Sequence, residues 1–439
     1  MKILADEVRN ILNKNMLADG LEQIQDLRAS HGSWIVDHRN NHQYLDMFSM
    51  FASGSVGYNH PYIRAHKDEL GEVALFKPTL SDMYNVYFAE FVATFDEIVI
   101  PEYLKHSFFI EGGALAVENA LKTAFDWKVR KNIAAGKGHH LGTQIIHFKQ
   151  AFHGRTGYTL SLTNTADPRK TMYFPMFDWP RIENPKLSFP VTEDVIQRVE
   201  KAEARAIDQI KTAIEKNPDD IAGLIVEPIQ GEGGDNHFRR EFFKQLRQIC
   251  DENEILFIFD EVQTGVGITG KMWAHEHFDV RPDILSFGKK TQVCGILAGP
   301  RIDEVEKNVF AESSRINSTF GGNLTDMWRS KLILEIIRDE KLVENARTQG
   351  EYIHKTITDL EIEFPAYVTN GRGVGLFSAF DLPSTTERDE LLERMIRNGL
   401  FILPCGTKTI RFRPHLNVIR EDIDTAFEII KKSMKECLK

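Results

Sequence analysis

The sequence is poor in cysteine, has no long apolar run and carries no excess of positive charge. Its 4 cysteines among 439 residues are widely spaced and form no Cys-x-x-Cys pair, which excludes a disulfide scaffold and favours a reducing cytoplasm. No apolar stretch reaches the roughly 20 residues that a membrane-spanning helix needs, and the charged first residues are untypical of a signal peptide. A net charge of −10 argues against a general nucleic-acid binder. We therefore expect neither a nucleic-acid nor a membrane partner.

The composition that remains is typical of a large globular protein. Hydrophobic residues make up 42% and charged residues 27%, and the length suggests two to three domains of about 150 residues each. After an N-terminal segment, continuous apolar runs alternate with helical patterns, which predicts an α/β domain with a mostly parallel central sheet. The C-terminal part mixes long helices with short strands. We predict an N-terminal segment 1–50 that packs with the small domain, a large domain 51–328 and a smaller α+β domain 329–439.

Ionisable residues end three of the predicted parallel strands. Glu227 follows GLIV, Asp260 follows ILFIF and Lys289 follows DILSFG. Such strand ends meet at one edge of an open sheet, where ligands bind. A lysine beside an aspartate suits pyridoxal 5'-phosphate (PLP), because the lysine forms a Schiff base and the aspartate pairs with the pyridinium nitrogen. Taken singly, each of these residues could instead cap a helix or face solvent.

Two further stretches could complete a cofactor site. Gly113 and Ala114 stand at the start of a predicted helix, whose free N–H groups favour a phosphate, although a Gly-Gly pair is also a common turn. Phe152 could stack on a planar ring and Arg155 could grip a carboxylate. The alternative for these two is a core phenylalanine beside a surface arginine.

A glycine-rich loop and a late strand supply two more charged candidates. Glu232 lies in the loop IQGEGG, which is no phosphate-binding Walker loop because no Gly-Lys-Ser/Thr follows. Arg411 alternates with apolar residues in the strand IRFRP, where an edge salt bridge is the alternative. We expect no metal site, because His139, His140 and the stretch His275–His277 lack partners at metal-ligand spacing and are expected at the surface.

Eight stretches together resemble the class III (ω-amino) PLP-dependent aminotransferases of fold type I. They are GYNHP, GGALAVENALK, AFHGRTGYTLSLT, GLIVEPIQGEGG, IFDEVQTGVGITG, RPDILSFGKK, INSTFGGN and IRFRPHLN. They occur in family order across nearly the whole chain. The resemblance implies a large PLP-binding domain and a homodimer with shared active sites.

Within that family, FHGRTGYTLSLTNT, MFDWPRI and FGKKTQVCG are most similar to the branch of L-lysine 6-aminotransferases. This resemblance implies transfer of the ε-amino group of L-lysine to 2-oxoglutarate, giving L-glutamate and 2-aminoadipate 6-semialdehyde. Other family donors remain open, namely ornithine, acetylornithine and 4-aminobutyrate. A fold-type-I mutase or racemase and a non-enzymatic binding protein are further alternatives that the charged candidates disfavour.

The resemblance also implies a role for each candidate residue. Lys289 forms the Schiff base and moves the proton, and its rival is the adjacent Lys290. The implied cofactor contacts are Asp260 at the pyridinium nitrogen, Gln263 at the phenolic oxygen, Gly113 and Ala114 at the phosphate, Phe152 on the ring, Glu227 nearby and the partner subunit's Thr319 at the phosphate. The implied substrate contacts are Arg155 at the donor α-carboxylate, Arg411 at the acceptor α-carboxylate, Glu232 as the movable partner of Arg411, and Gln263. The phosphate motif lacks the serine usual in the family, so backbone N–H groups must suffice.

Overall fold

The computed structural model describes residues 3–438. Its helices are α1 (Val8–Leu12), α2 (Ser49–Ala52), α3 (Pro61–Ala65), α4 (Lys67–Ala74), α5 (Val86–Ile98), α6 (Gly113–Ala134), α7 (Gly157–Leu162), α8 (Glu193–Lys216), α9 (Arg240–Glu252), α10 (Leu324–Asp339), α11 (Leu342–Glu363), α12 (Thr385–Arg397) and α13 (Arg420–Cys437). Short 3₁₀ helices are Ala5–Glu7, Pro168–Lys170, Ala274–His277, Lys289–Thr291 and Pro300–Glu304.

The strands are mostly short. They are β1 (Trp34–Val36), β2 (Gln43–Asp46), β3 (His106–Ile110), β4 (Gln144–Phe148), β5 (Arg181–Ile182), β6 (Ile221–Val226), β7 (Ile229–Gln230), β8 (Asn236–His237), β9 (Leu256–Asp260), β10 (Ile284–Phe287), β11 (Cys294–Ala298), β12 (Thr369–Val374), β13 (Phe377–Asp381), β14 (Leu400–Phe401), β15 (Leu403–Cys405) and β16 (Thr409–Phe412).

The central feature is a seven-stranded sheet in the order β3-β11-β10-β9-β6-β4-β5. All neighbours pair in parallel except β11, which runs antiparallel to both β10 and β3. The predicted α/β class with a mostly parallel sheet is confirmed. The sequence patterns identified neither β11 nor the two-residue β5 as strands of this sheet.

Both faces of this sheet are covered, as continuous apolar strands require. Successive strand residues point to opposite faces. Ile145 and Ile258 pack with α6 on one face, whereas Ile146 and Phe257 pack with α8 and α9 on the other. The polar ends of the strands are thereby left to line a cavity at the carboxyl edge.

The C-terminal region contributes an antiparallel sheet in the order β12-β13-β16-β15. The N-terminal strands β1 and β2 form a separate three-stranded sheet, in which β2 pairs in parallel with β14. The helices α11 and α12 pack on these strands, and α13 packs against both helices. The boundaries at residues 50 and 328 stay a prediction. Within residues 3–438, no helix is long and apolar enough to cross a membrane.

Candidate active site

A cavity of about 680 Å³ opens at the carboxyl ends of the parallel strands β6, β9 and β10. Ten of the eleven predicted site residues line it, which are Gly113, Ala114, Phe152, Arg155, Glu227, Glu232, Asp260, Gln263, Lys289 and Arg411. They come from six separate stretches of sequence, so the fold brings them together from across more than half of the chain.

Lys289 projects into the cavity just after strand β10. Its backbone lies in the left-handed region, with φ of 53°, a strained conformation often found at functional sites. Its Nζ donates a hydrogen bond to the carbonyl oxygen of Phe51 at 2.8 Å. Burial, aided by the guanidinium groups of Arg411 and Arg413, lowers the pKa of Lys289 to about 8. The unprotonated, nucleophilic fraction of this amine near neutral pH is therefore far larger than that of an ordinary lysine.

Lys290 points the other way. It is 1% exposed, it does not line the cavity, and its Nζ donates to the carbonyl oxygen of Gln263 at 3.1 Å. Burial lowers the pKa of Lys290 well below its ordinary value. The geometry therefore separates the two lysines, and only Lys289 can reach a ligand in the cavity.

Asp260 is the last residue of β9, and its carboxylate is 5% exposed. Its Oδ2 lies 2.7 Å from His153 Nδ1, and its Oδ1 accepts hydrogen bonds from the Val262 N–H at 3.1 Å and the Ser286 hydroxyl at 3.3 Å. These contacts fix the orientation of the carboxylate toward the cavity, as a partner for a ring nitrogen requires.

The N-terminus of α6 faces the same cavity. Gly112 precedes the helix with φ of 91°, a conformation that favours glycine, and a Cβ at Gly113 would lie only 3.0 Å from Val262 Cγ1. The first N–H groups of a helix have no intrahelical acceptor. The absence of side-chain bulk therefore leaves the N–H groups of Gly113 and Ala114 available to an anion.

Phe152 and Arg155 form the opposite wall. The Arg155 guanidinium carbon lies 5.9 Å from the ring centroid of Phe152. Arg155 is exposed, and within residues 3–438 no carboxylate forms an ion pair with it. An unpaired guanidinium at a cavity mouth suits a carboxylate of a ligand.

Glu227 lies beneath this wall. It is 5% exposed, and it accepts hydrogen bonds from the Phe152 N–H at 2.9 Å and the Gly231 N–H at 3.1 Å. Burial raises the pKa of Glu227 to about 7, with a smaller contribution from Asp260. The carboxyl group thus ties the Phe152 stretch to the glycine-rich loop.

That loop brings Glu232 against two cations. Glu232 Oε2 accepts a hydrogen bond from Arg411 Nη2 at 2.8 Å, and Glu232 Oε1 accepts one from Lys170 Nζ at 2.6 Å. Burial favours the neutral acid, but Arg411 and Lys170 outweigh it and lower the pKa of Glu232. Arg411 Nε is buried without an acceptor within residues 3–438, so this guanidinium keeps an unused donor.

Arg413, two residues further along the same face, has a different partner. Its guanidinium bonds both oxygens of Asp235 and donates from Nε to Gln263 Oε1 at 3.0 Å. Its charge is therefore compensated within the protein. The two arginines differ in that Arg411 is held by a loop carboxylate that is 27% exposed and Arg413 by one that is 1% exposed.

The class III aminotransferase family model matches residues 18–434. The curated L-lysine-epsilon aminotransferase of Mycobacterium tuberculosis is 50% identical over 432 residues, which cover 98% of this chain and 95% of the relative. That of Amycolatopsis lactamdurans is 46% identical over 98% of this chain and 96% of its own. A solved structure of the lysine aminotransferase from M. tuberculosis in the internal aldimine form matches with a TM-score of 0.97 at 50% identity, covering 99% of this chain and all of the other.

The chain belongs to the class III aminotransferases.

Members of this family depend on PLP, and its structural neighbours confirm fold type I for this aminotransferase. The residues of the cavity fit the cofactor. The start of α6 at Gly113 can receive the phosphate through backbone N–H groups. The carboxylate of Asp260 is oriented toward the cavity, and Lys289, whose pKa is lowered, lines the same cavity. The cofactor is PLP.

Thr319 is the one predicted site residue of this aminotransferase that does not line the cavity of its own chain. It is exposed, and its carbonyl oxygen accepts a hydrogen bond from Ser81 Oγ at 3.4 Å. Its predicted role in a neighbouring subunit stays a prediction.

Within residues 3–438, no group of three or more histidine, cysteine, aspartate or glutamate side chains could hold a metal ion. His139 and His140 are exposed, as predicted. The prediction for His275 is wrong, because this residue is 3% exposed and its ring bridges Glu261 at 2.7 Å and the Tyr103 hydroxyl at 2.6 Å. Two polar partners inside the core make its burial possible.

The residues that escaped the sequence reading include His153 and Phe51, which line the cavity, and Lys170, which contacts Glu232 from behind the lining. His153 lies between Phe152 and Gly154 and could have been found there, since it follows a predicted strand beside two candidates. Phe51 contacts Lys289 through its backbone carbonyl. Because every residue has such a carbonyl, the residue type does not indicate this contact. Lys170 ends a three-residue 3₁₀ helix that has no apolar periodicity, so the sequence gave no signal for it.

Proposed function

We propose that this aminotransferase transfers the ε-amino group of L-lysine to 2-oxoglutarate. The products are L-glutamate and 2-aminoadipate 6-semialdehyde, which cyclises to piperideine-6-carboxylate. The names of the relatives at 46% and 50% identity support L-lysine as the donor. The observation that carries the proposal is the pair of Arg411 and Glu232, because a movable carboxylate can neutralise the arginine for one substrate and release it for the other.

PLP, when bound, supplies an aldehyde that takes up an amino group and a ring that acts as an electron sink. Lys289 would hold it covalently through Nζ, and Asp260 would pair with its ring nitrogen. The other residues that would hold it are Gly113 and Ala114 at the phosphate, Phe152 against the ring, Gln263 at the phenolic oxygen and Glu227 nearby. Because His153 holds the Asp260 carboxylate at 2.7 Å, that pairing is pre-oriented.

Lys289 also carries the proton. Its pKa of about 8 matches the requirement that a catalytic base be poised near the working pH. Its Nζ contacts only the Phe51 carbonyl within residues 3–438, so it can turn between that oxygen and the cavity.

The two arginines select the substrates. Arg155 binds the α-carboxylate of L-lysine at the cavity mouth, which fixes the distant ε-amine as the reacting group. The reacting end of lysine has no carboxylate, so Glu232 stays on Arg411 and leaves no buried cation unpaired. In 2-oxoglutarate the reacting keto carbon is bonded to the α-carboxylate, and Arg411 must then be free of Glu232 to bind that carboxylate.

We also propose a homodimer in which the partner subunit's Thr319 completes the phosphate site. Exposed apolar side chains support this, because Phe76 is 79% and Tyr84 is 76% exposed. These side chains belong to the segment 76–84, which lies beside Thr319. The N–H of Leu80 in this segment donates a hydrogen bond to the carbonyl oxygen of Phe320, the residue after Thr319, at 3.1 Å. A cytoplasmic location is supported by the four cysteines, none of which forms a disulfide.

A donor screen tests the proposal. Purified enzyme with PLP and 2-oxoglutarate is offered L-lysine, L-ornithine, N-acetylornithine or 4-aminobutyrate, and glutamate is measured. An aminobenzaldehyde detects the cyclic imine formed from lysine. We expect L-lysine to give both glutamate and the imine. Glutamate from another donor while lysine stays inert would reject the lysine assignment and keep the aminotransferase.

A further inference from the structure

Lys170 is a largely buried cation with no role in the mechanism above. It ends the short helix Pro168–Lys170 in the loop after α7, and its side chain is 13% exposed. Its Nζ lies 2.6 Å from Glu232 Oε1 and 3.3 Å from Thr165 Oγ1. Within residues 3–438, Glu232 is the one carboxylate that pairs with it.

Glu232 therefore bridges two cations, one at each oxygen. Arg411 binds Oε2 and Lys170 binds Oε1, so the contact with Lys170 does not depend on the contact with Arg411. A turn of the carboxylate about Oε1 can release Arg411 while the bond to Lys170 stays.

This arrangement removes an energetic obstacle to release. Separating a buried carboxylate from its only cation leaves an uncompensated charge, which is strongly unfavourable. With two cations, the carboxylate keeps a partner in either position. We propose that Lys170 is a positioning residue that keeps Glu232 charged and held at the cavity wall while Arg411 binds the α-carboxylate of the acceptor.

The charges of the cluster agree with this role. Lys170, Glu232 and Arg411 together carry one net positive charge, so the carboxylate of an acceptor brings the cluster to neutrality. Without Lys170, the same carboxylate would leave one net negative charge in a largely buried site, which is unfavourable. Lys170 thus matters for the half-reaction with 2-oxoglutarate and little for the one with L-lysine, in which Glu232 stays on Arg411.

A competing role is direct binding of the donor. Lys170 Nζ lies 5.6 Å and the Arg155 guanidinium carbon 5.9 Å from the ring centroid of Phe152, so both cations border the same ring. If Lys170 bound the α-carboxylate of L-lysine, its loss would impair the lysine half-reaction first.

The test compares Lys170→Met, which keeps an unbranched side chain of nearly the same length and removes the charge, with Lys170→Arg, which keeps the charge. The holoenzymes are studied in single-turnover half-reactions with L-lysine and with 2-oxoglutarate. Calorimetry separately measures binding of glutarate, a dicarboxylate that cannot accept an amino group. We expect Lys170→Met to weaken glutarate binding about tenfold or more, and to lower kcat/KM for 2-oxoglutarate by a similar factor. The rate of the lysine half-reaction should change less than about threefold. Lys170→Arg should restore most of the loss.

The same replacement in a Glu232→Gln background distinguishes the two roles. If Lys170 acts through Glu232, Lys170→Met then weakens glutarate binding by no more than about twofold. A loss that persists without Glu232, an equal loss in both half-reactions, or a loss confined to L-lysine overturns the inference. The inference rests on the proposed function, but wild-type enzyme inactive with L-lysine would refute only that function, because glutarate binding still decides the role of Lys170.

Discussion

At the scale of single residues, the two adjacent lysines show how backbone conformation assigns chemistry. Lys289 and Lys290 have the same side chain, yet one faces the cavity and the other is bound in the core through the Gln263 carbonyl. The left-handed backbone of Lys289 turns the chain between them. The direction of the side chain therefore decides which of the two lysines can react with a ligand in the cavity.

We expect Lys289→Ala to abolish covalent attachment of PLP and transaminase activity, because no other amine lines the cavity within residues 3–438. Borohydride treatment followed by mass spectrometry of peptides measures the attachment. Lys290→Met is the matched control, and it should keep the reducible attachment at Lys289. Attachment that survives in Lys289→Ala and disappears in Lys290→Met would reverse the assignment.

Glu227 predicts a pH dependence of stability. Burial raises its pKa from 4.5 to about 7, so the folded state holds the proton more tightly than the unfolded chain. The stabilisation is fully present below about pH 4.5 and is lost as the pH rises through 7, by a total on the order of 3 kcal/mol. Glu227→Gln removes this titration.

We therefore expect the melting temperature of Glu227→Gln, relative to wild type, to rise between pH 5 and pH 7.5. Thermal unfolding at several pH values measures it. Because any constant cost of the substitution cancels in the comparison, a difference that is flat with pH would contradict the raised pKa.

At the scale of elements, the junction between α6 and the Phe152 stretch depends on one glycine. Gly154 has φ of 130°, and a Cβ there would lie 2.6 Å from both Ala114 Cβ and Thr159 Oγ1. The helix that offers N–H groups to the phosphate and the stretch that carries Phe152 and Arg155 therefore approach each other too closely for any side chain.

We expect Gly154→Ala to lower the free energy of unfolding by about 1–3 kcal/mol and to weaken PLP binding, because the two walls must separate. Gly157→Ala is the control, since its nearest neighbour is Glu118 Oε1 at 3.8 Å. Chemical denaturation and PLP dissociation are the measurements. Equal behaviour of the two variants would show that the contact has no consequence.

The same scale shows what the sequence predicts. The strand β9 and the start of α6 follow from local apolar patterns and glycines, and the strand ends correctly indicated where the cavity opens. The reversal of β11 could not be predicted, because a buried antiparallel strand has the same continuous apolar texture as a parallel one. Lys170 was missed for another reason. Its partner Glu232 is 62 residues away, and only the folded chain makes that distance short.

At the scale of the whole molecule, the cavity in one chain contains every predicted residue except Thr319. If the partner subunit's Thr319 completes the phosphate site, retention of PLP depends on association. We expect Thr319→Ala to weaken PLP retention about tenfold or more, as the loss of one hydrogen bond to a charged group does. Equilibrium dialysis measures it, and Ser313→Ala, an exposed hydroxyl in the same segment, is the control.

Unchanged affinity in Thr319→Ala would count against the shared site. In the wild type, dilution into the range where subunits separate should accelerate the loss of PLP, and sedimentation at the same concentrations reports the oligomeric state.

The pairing of β2 with β14 joins the two ends of the chain. Trp34 in the N-terminal sheet donates a hydrogen bond to Asp422, 388 residues later. A ribosome adds about 5–20 residues per second, so the first strands wait tens of seconds before their partner emerges. During that interval the N-terminal segment has apolar residues such as Leu45 without their final cover. The apolar cover of this N-terminal segment is thus complete only after β14 and the helix that carries Asp422 have been made.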